Sequence, residues 1–295
     1  MATVVPVISK DVVRVKRPRF RVAWRHLVAA LAVVFSLFPI VFVLSAALNP
    51  LGTLSSSDVV PTGVSAGNFG NLLADTAFPH WFVNSLLIAG MSAIAAVLLG
   101  ALAAYAFSRM RFRGRRVGLL SLLLIQMFPQ FLAIVTIFLM FTTITELWPA
   151  VGFNTPWGLI LLYLGGALGV NTWLMKGFLD TVPRELDESA TMDGASHAQV
   201  FFLIMLPLVA PILAVTGLLV FIGTINEFLI ANVFLTDSES KTLAVGMYGL
   251  IAGERNNNFG VFCAATLLTA VPTVLVFQFL QRYVTSGLTA GAVKG

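Results

Sequence analysis

Residues able to do acid–base, nucleophilic or metal chemistry are sparse in these 295 amino acids. Three histidines, His26, His80 and His197, lie far apart, with no cysteine or carboxylate set around them at metal-ligand spacing. Structural roles are expected for all three, and no metal site. The single cysteine, Cys263, excludes an internal disulfide and a cysteine-based zinc site, and reads as a small packing residue. Gly-Lys occurs nowhere, so the chain lacks the Gly-x-x-x-x-Gly-Lys loop that cradles nucleotide phosphates. No Ser–His–Asp set is present, and no paired carboxylates sit within an apolar run. The chain is not expected to be an enzyme.

Two acidic features remain. Glu227, in "FIGTINEFLI", lies inside an apolar run beside Asn226. An ionisable group at membrane depth is costly and marks a candidate site. Two readings stay open: Asn226 and Glu227 line a polar pathway, or Glu227 anchors a helix at the interface. Proton coupling is disfavoured, because no intramembrane His, Lys or second acid stands ready to pass a proton on. The second feature is "ELDESATMDGASHAQ", Glu185 to Gln199, where five of the thirteen acids fall between Asp180 and Asp193, followed by Gly194.

The elements that position these residues follow from composition. The chain is 58% hydrophobic and 11% charged, with a mean hydropathy of +0.92. A soluble domain carries about a quarter charged residues, so a membrane protein is indicated. Runs free of Asp, Glu, Lys and Arg are long enough to hold helices at about 26–48, 82–108, 118–143, 157–179, 206–232 and 259–281, each close to the roughly 20 residues that cross a bilayer. None alternates as a β-barrel strand would. The expected fold is an all-α membrane protein of six transmembrane helices. A basic arm (1–25) precedes the six-helix transmembrane domain (26–285), and a tail (286–295) follows it. Prolines 39, 129, 207, 211 and 272 fall in or near spans and either kink them or simply pack.

Orientation follows from the cations. Sixteen of the eighteen Lys and Arg residues lie in the N-terminal arm, the loop after the second span, the loop after the fourth and the C-terminal end. Both termini and the acidic segment are therefore expected on the cytoplasmic side. The first apolar run exceeds a typical signal-peptide core and reads as an uncleaved helix. The net charge of +5 fits an anionic membrane surface, and no nucleic-acid partner is expected.

Read physically, the acidic segment is a short helix, a glycine turn and a second helix. Asp180 and Thr181 are N-cap candidates, and Pro183 suits a first turn. Glu185, Asp187 and Glu188 sit near the positive helix end. Gly194 breaks the helix, and Ser196 can cap the next one. Either the segment docks in a partner's groove or it is a solvated connector.

"ESATMDGA", Glu188 to Ala195, with "LPLVAP" from Leu206, resembles the EAA loop (here 181–205) of ABC importer permeases. Glu188, Ala190, Asp193, Gly194, Leu206 and Pro207 match that pattern, and Ser189 stands in place of its second alanine. "WFVNSLLIA", "AAYAFSRMRFRG", "KTLAVGM" and the ending "GLTAGAVKG" are similar to carbohydrate permeases, more narrowly to the smaller permease subunit of maltose/maltodextrin importers.

The resemblance implies a type I ABC importer permease fold in a bacterial plasma (inner) membrane. It also implies the partners: a larger permease subunit, two copies of an ATPase subunit that hold ATP and Mg, and an extracytoplasmic sugar-binding protein. No cofactor is implied on this chain itself. The ATPase-coupling residues would be Glu188, Ser189, Ala190, Met192, Asp193, Gly194 and Ala195, with Glu188 facing an ATPase arginine. Thr289, Ala290, Gly291, Lys294 and Gly295 would reach between the ATPase subunits. Gly253, Glu254, Arg255, Asn256, Asn257 and Asn258 would contact the binding protein. The alternative is a self-sufficient secondary carrier or channel for a polar solute. A carrier usually shows internal repeats and an intramembrane ion site, and neither is evident.

Overall fold

The structure is a computed structural model that describes residues 20–61, 63–253 and 257–292. Every regular element among them is helical. Twelve helices are used below. They are α1 (Phe20–Leu48), α2 (Gly67–Ala74), α3 (Phe78–Arg109), α4 (Arg115–Met127), α5 (Gln130–Leu147) and α6 (Pro156–Leu179). Then come α7 (Glu185–Met192), α8 (His197–Leu208), α9 (Ala210–Ile225), α10 (Leu229–Phe234), α11 (Leu243–Ala252) and α12 (Phe259–Ala292).

Among the described residues four helices are long and apolar enough to cross a bilayer unaided: α1, α3, α6 and α12. Two bent pairs bring the number to as many as six if each pair is one span. The run expected as one helix at 118–143 is two, α4 and α5, turned by 101°. Phe128 and Pro129 hold extended backbone there, and Pro129 has no N–H to continue the ladder. The run expected at 206–232 also differs. α8 meets α9 at 77° around Val209, and the helix stops at Ile225 before resuming as α10. The last helix extends to Ala292, so residues expected in a tail lie on helical backbone.

α3 is the central beam. It packs along α6 and α9, while α12 packs against α1, α9 and α2. Its buried face carries small residues, Ala89, Ser92, Ala93, Ala96, Gly100, Ala101 and Ala104. Small side chains let membrane helices approach closely where no hydrophobic effect drives them together. A Cβ on Gly100 would lie 3.4 Å from the Met175 sulfur of α6.

Polar ties fix the end of the bundle that holds the N-terminus of α3. The Trp81 indole N–H donates to the Ser238 carbonyl at 2.7 Å, and the Leu243 N–H donates to the Ser85 hydroxyl at 2.7 Å. The buried Asn68 amide donates to the Ala47 and Asn49 carbonyls, both at 2.9 Å. Gly260 N–H donates to the Gly52 carbonyl at 2.8 Å, and a Cβ on Gly260 would lie 2.8 Å from Gly52 Cα. At the opposite end, Tyr105, Met175, Leu179, Val200, Phe201 and Met205 form the apolar layer on which the acidic segment rests.

Candidate functional site

α7 is eight residues long, too short to be stable alone. Its stability comes from its ends and one face. Glu185, Asp187 and Glu188 occupy its first turn, where the helix dipole favours negative charge. At its C-terminus Gly194 adopts φ 89°. Ala195 N–H donates to the Ala190 carbonyl and Gly194 N–H to the Thr191 carbonyl, both at 3.0 Å. These are the paired bonds of a Schellman motif, with the glycine in the left-handed position that disfavours a Cβ. Two residues later Ser196 and Gln199 form a reciprocal capping box at the start of α8. The cap expected at Ser196 is therefore present.

The start of α7 differs from the sequence expectation. Arg184, not Asp180 or Thr181, is the N-cap residue, and Pro183 lies just outside the helix. α6 instead continues to Leu179, and Asp180 closes it as C-cap. Its carboxylate pairs with Lys176 and accepts the Ser108 hydroxyl at 2.6 Å. Burial pushes the Asp180 carboxyl up, but the bonds from Lys176 and Ser108 outweigh it and hold the group below its ordinary value.

The two faces of α7 are chemically different. Asp187 and Ala190 face inward, and Ala190 and Ala195 pack on the apolar layer beneath. Glu185, Glu188, Ser189 and Met192 repeat at three- and four-residue intervals on the exposed face. Met192 is 89% exposed, an unusual state for a large apolar side chain at the end of a polar helix. Glu188, Met192 and His197 line a cleft of roughly 820 Å³ whose other wall is Tyr105, Arg109, Met110 and Arg111. Six of the seven residues singled out in the EAA loop thus lie on or beside one short helix, and Ala195 ends its turn.

Arg109 escaped sequence reasoning. Its side chain is only 8% exposed, its Nε lies 2.7 Å from Asp187 Oδ2, and its Nη2 donates to the Val182 carbonyl at 2.8 Å. The contact to Asp187 is ionic rather than an aligned hydrogen bond, and Oδ1 of Asp187 is buried without a donor. Burial accordingly pushes the Asp187 carboxyl above its ordinary value, against the pull of Arg109. A signal existed in the sequence. Arg109 follows the buried residues Ala101 and Tyr105 at four-residue steps, so it continues the inward face of α3.

Glu227 lies far from this cleft. Its carboxylate accepts the Tyr163 hydroxyl of α6 at 2.5 Å and the backbone N–H groups of Ile230 and Ala231 at 2.9 and 3.0 Å. It caps α10 where the span breaks and ties that break to α6. Tyr163 is seven residues into α6, about 10 Å along it. Asn226 is exposed and donates to the Ile222 carbonyl of its own helix at 2.8 Å. Of the outer-loop candidates, Gly253 follows α11, and Asn257 and Asn258 form the turn into α12. Glu254, Arg255 and Asn256 lie outside the described residues. Thr289, Ala290 and Gly291 lie on the backbone of α12; Lys294, Gly295 and residues 1–19 of the N-terminal arm lie outside the described residues. Among the described residues no His, Cys, Asp and Glu cluster could hold a metal.

Comparison with known proteins agrees with this architecture. The family described as binding-protein-dependent transport system inner membrane component matches residues 96–289. The galactooligosaccharides transport system permease protein GanQ of Bacillus subtilis is 36% identical over 282 residues, 95% of this chain and 98% of that one. The maltose/maltodextrin transport system permease protein MalG of Escherichia coli is 37% identical over 296 residues, 96% and 99% of the two chains. Both relatives are transport permeases rather than enzymes. A chain in the crystal structure of a bacterial ABC transporter that imports the acidic polysaccharide alginate shares the fold, with a TM-score of 0.75 at 22% identity over 95% of this chain and 99% of that one. A second alginate transporter structure, in complex with an alginate pentasaccharide-bound periplasmic protein, superposes with a TM-score of 0.61 at 16% identity over 89% of this chain and 93% of that one. This chain is a multi-pass membrane protein and belongs to the family of binding-protein-dependent transport system inner membrane components.

Proposed function

We propose that this chain is a permease subunit of an ATP-driven sugar importer, and that α7 is the element an ATPase subunit grips. The observation that carries the reading is the outer face of α7. Glu188, Ser189 and Met192 stand exposed, Glu188 and Met192 beside an open cleft, while the glycine turn and the capping box hold the ends of the helix at the membrane face. An exposed apolar residue amid acids, on a helix too short to persist alone, suits a docking helix.

ATP binding would close the ATPase dimer, and α7 would move with it. The spans would then rock between inward- and outward-facing states, as a shared mobile element coupling two sites allows. The partners would be a larger permease subunit, two ATPase subunits carrying ATP and Mg, and an extracytoplasmic sugar-binding protein. Six spans with both termini cytoplasmic fit this assembly, each bent pair counting as one span. Gly253 to Asn258 would face the binding protein, and Thr289 to Gly295 the ATPase pair. The cargo would be a maltose-type α-glucoside or a related oligosaccharide, in keeping with the names of the two relatives.

The test is uptake of labelled sugars by vesicles holding the chain alone or with its partners. ATP-dependent uptake only in the presence of ATPase subunits and binding protein is expected. Uptake by the chain alone, without ATP, would replace this reading with a secondary carrier. Binding of a sugar panel to the isolated binding protein then identifies the cargo.

A further inference from the structure

We propose that Arg109 is the positioning residue that transmits movement of α7 to the central helix α3, a role that presupposes an ATP-driven import permease. The covalent neighbours of α7 are α6 and α8, joined to it by short loops. Its principal polar tie runs elsewhere. The Arg109 guanidinium, at the last residue of α3, meets the inward carboxylate of α7, Asp187, at 2.7 Å. The same guanidinium holds the Val182 carbonyl, on the segment leading into α7, at 2.8 Å. The two contacts lie on either side of the α7 N-terminus, so the helix cannot shift without carrying the end of α3 or breaking them.

Neighbouring bonds reinforce the junction. Ser108 of α3 donates to Asp180, and Arg184 reaches back to the Ser108 carbonyl at 3.4 Å. α3 in turn packs along both α6 and α9. Motion delivered at Arg109 therefore reaches the middle of the bundle directly. Lysine is a poor replacement, because Arg109 reaches Asp187 through Nε and the Val182 carbonyl through Nη2, two separated nitrogens of one rigid plane, whereas an ammonium is a single compact charge.

The experiment uses the complete transporter in lipid vesicles and compares Arg109→Ala, Arg109→Lys, Asp187→Asn and the exchange Arg109→Asp with Asp187→Arg. Sugar imported per ATP hydrolysed is measured beside assembly with the ATPase subunits. Arg109→Ala is expected to assemble and hydrolyse ATP, but to import about tenfold less sugar per ATP. Arg109→Lys should fall between it and the parent, and the exchange should recover at least half of the loss. If Arg109→Ala fails to assemble, Asp187→Asn and the exchange decide the matter by the same ratio. Unchanged import per ATP in the single variants, or no recovery in the exchange, overturns the proposal. Failure of the importer reading would show separately, as a parent complex without ATP-dependent uptake.

Discussion

Gly194→Ala isolates the backbone requirement at the end of α7. A Cβ at Gly194 would meet nothing within 4 Å, so no steric overlap contributes. The cost is conformational. An L-residue in the left-handed region loses about 1–2 kcal/mol, partly offset by about 0.4–1 kcal/mol from stiffening the unfolded chain. A net loss of about 1 kcal/mol follows. Gly177→Ala is the matched control. Gly177 lies within α6, also meets nothing within 4 Å of a built Cβ, and has an ordinary helical backbone. Alanine there should gain about 0.5–1 kcal/mol. The two variants should therefore separate by roughly 1.5 kcal/mol in denaturant unfolding of the purified chain in mixed micelles. Gly194→Asn should lie nearer the parent, because asparagine tolerates the left-handed region better. Amide exchange should localise the effect, with the Ala195 N–H losing protection in Gly194→Ala as its bond to the Ala190 carbonyl weakens. If Gly194→Ala were as stable as Gly177→Ala and kept that protection, the assignment of α7's C-terminus to glycine chemistry would be wrong.

Three further outcomes follow from other contacts. A Cβ on Gly246 would lie 2.2 Å from the Trp81 ring, which is buried and pinned by its indole hydrogen bond, so Gly246→Ala should cost about 1–3 kcal/mol in the same unfolding assay. Tyr163→Phe removes one of three donors to the Glu227 carboxylate and should cost about 1–2 kcal/mol, read as a lower unfolding midpoint. Asp180 is held below its ordinary value in the folded state, so its contribution to stability is present above that value and fades as pH falls through the folded one. Ser108→Ala should therefore shrink the stability difference between about pH 6 and about pH 3.

What the sequence disclosed and what it hid divide by distance along the chain. Local chemistry was readable: Gly194 announced a turn, Ser196 a helix cap, and uncharged runs the apolar helices. Contacts between distant residues were not. Arg109 stood among five arginines at the end of its span and in the loop that follows, and each fitted that cluster of cations equally well. Its helical register with Ala101 and Tyr105 pointed inward, but its partner Asp187 is 78 positions away, so no local pattern could name the pair. Glu227 posed the same difficulty, since Tyr163 lies 64 positions earlier and only the fold brings the hydroxyl to the carboxylate. Asp180 looked like the start of α7 because acids favour helix starts, yet Lys176 one turn earlier and Ser108 across the interface claimed it as the end of α6. Pro129 was visible, but a proline within a membrane helix is compatible with a slight kink or a full break. The packing around it, including the Gln126 amide held by the Gly166 carbonyl at 2.8 Å, accompanies a break.

The central claim is that the exposed face of α7 is where ATPase subunits drive this permease. Glu188→Lys tests it most directly, because Glu188 is exposed on the outer face of α7 and lines the open cleft. The measurement is ATP-dependent sugar uptake together with co-purification of the ATPase subunits, at equal amounts of membrane-inserted chain. Loss of both uptake and co-purification, with membrane insertion unchanged, is the predicted result. Normal uptake with normal co-purification would contradict the account.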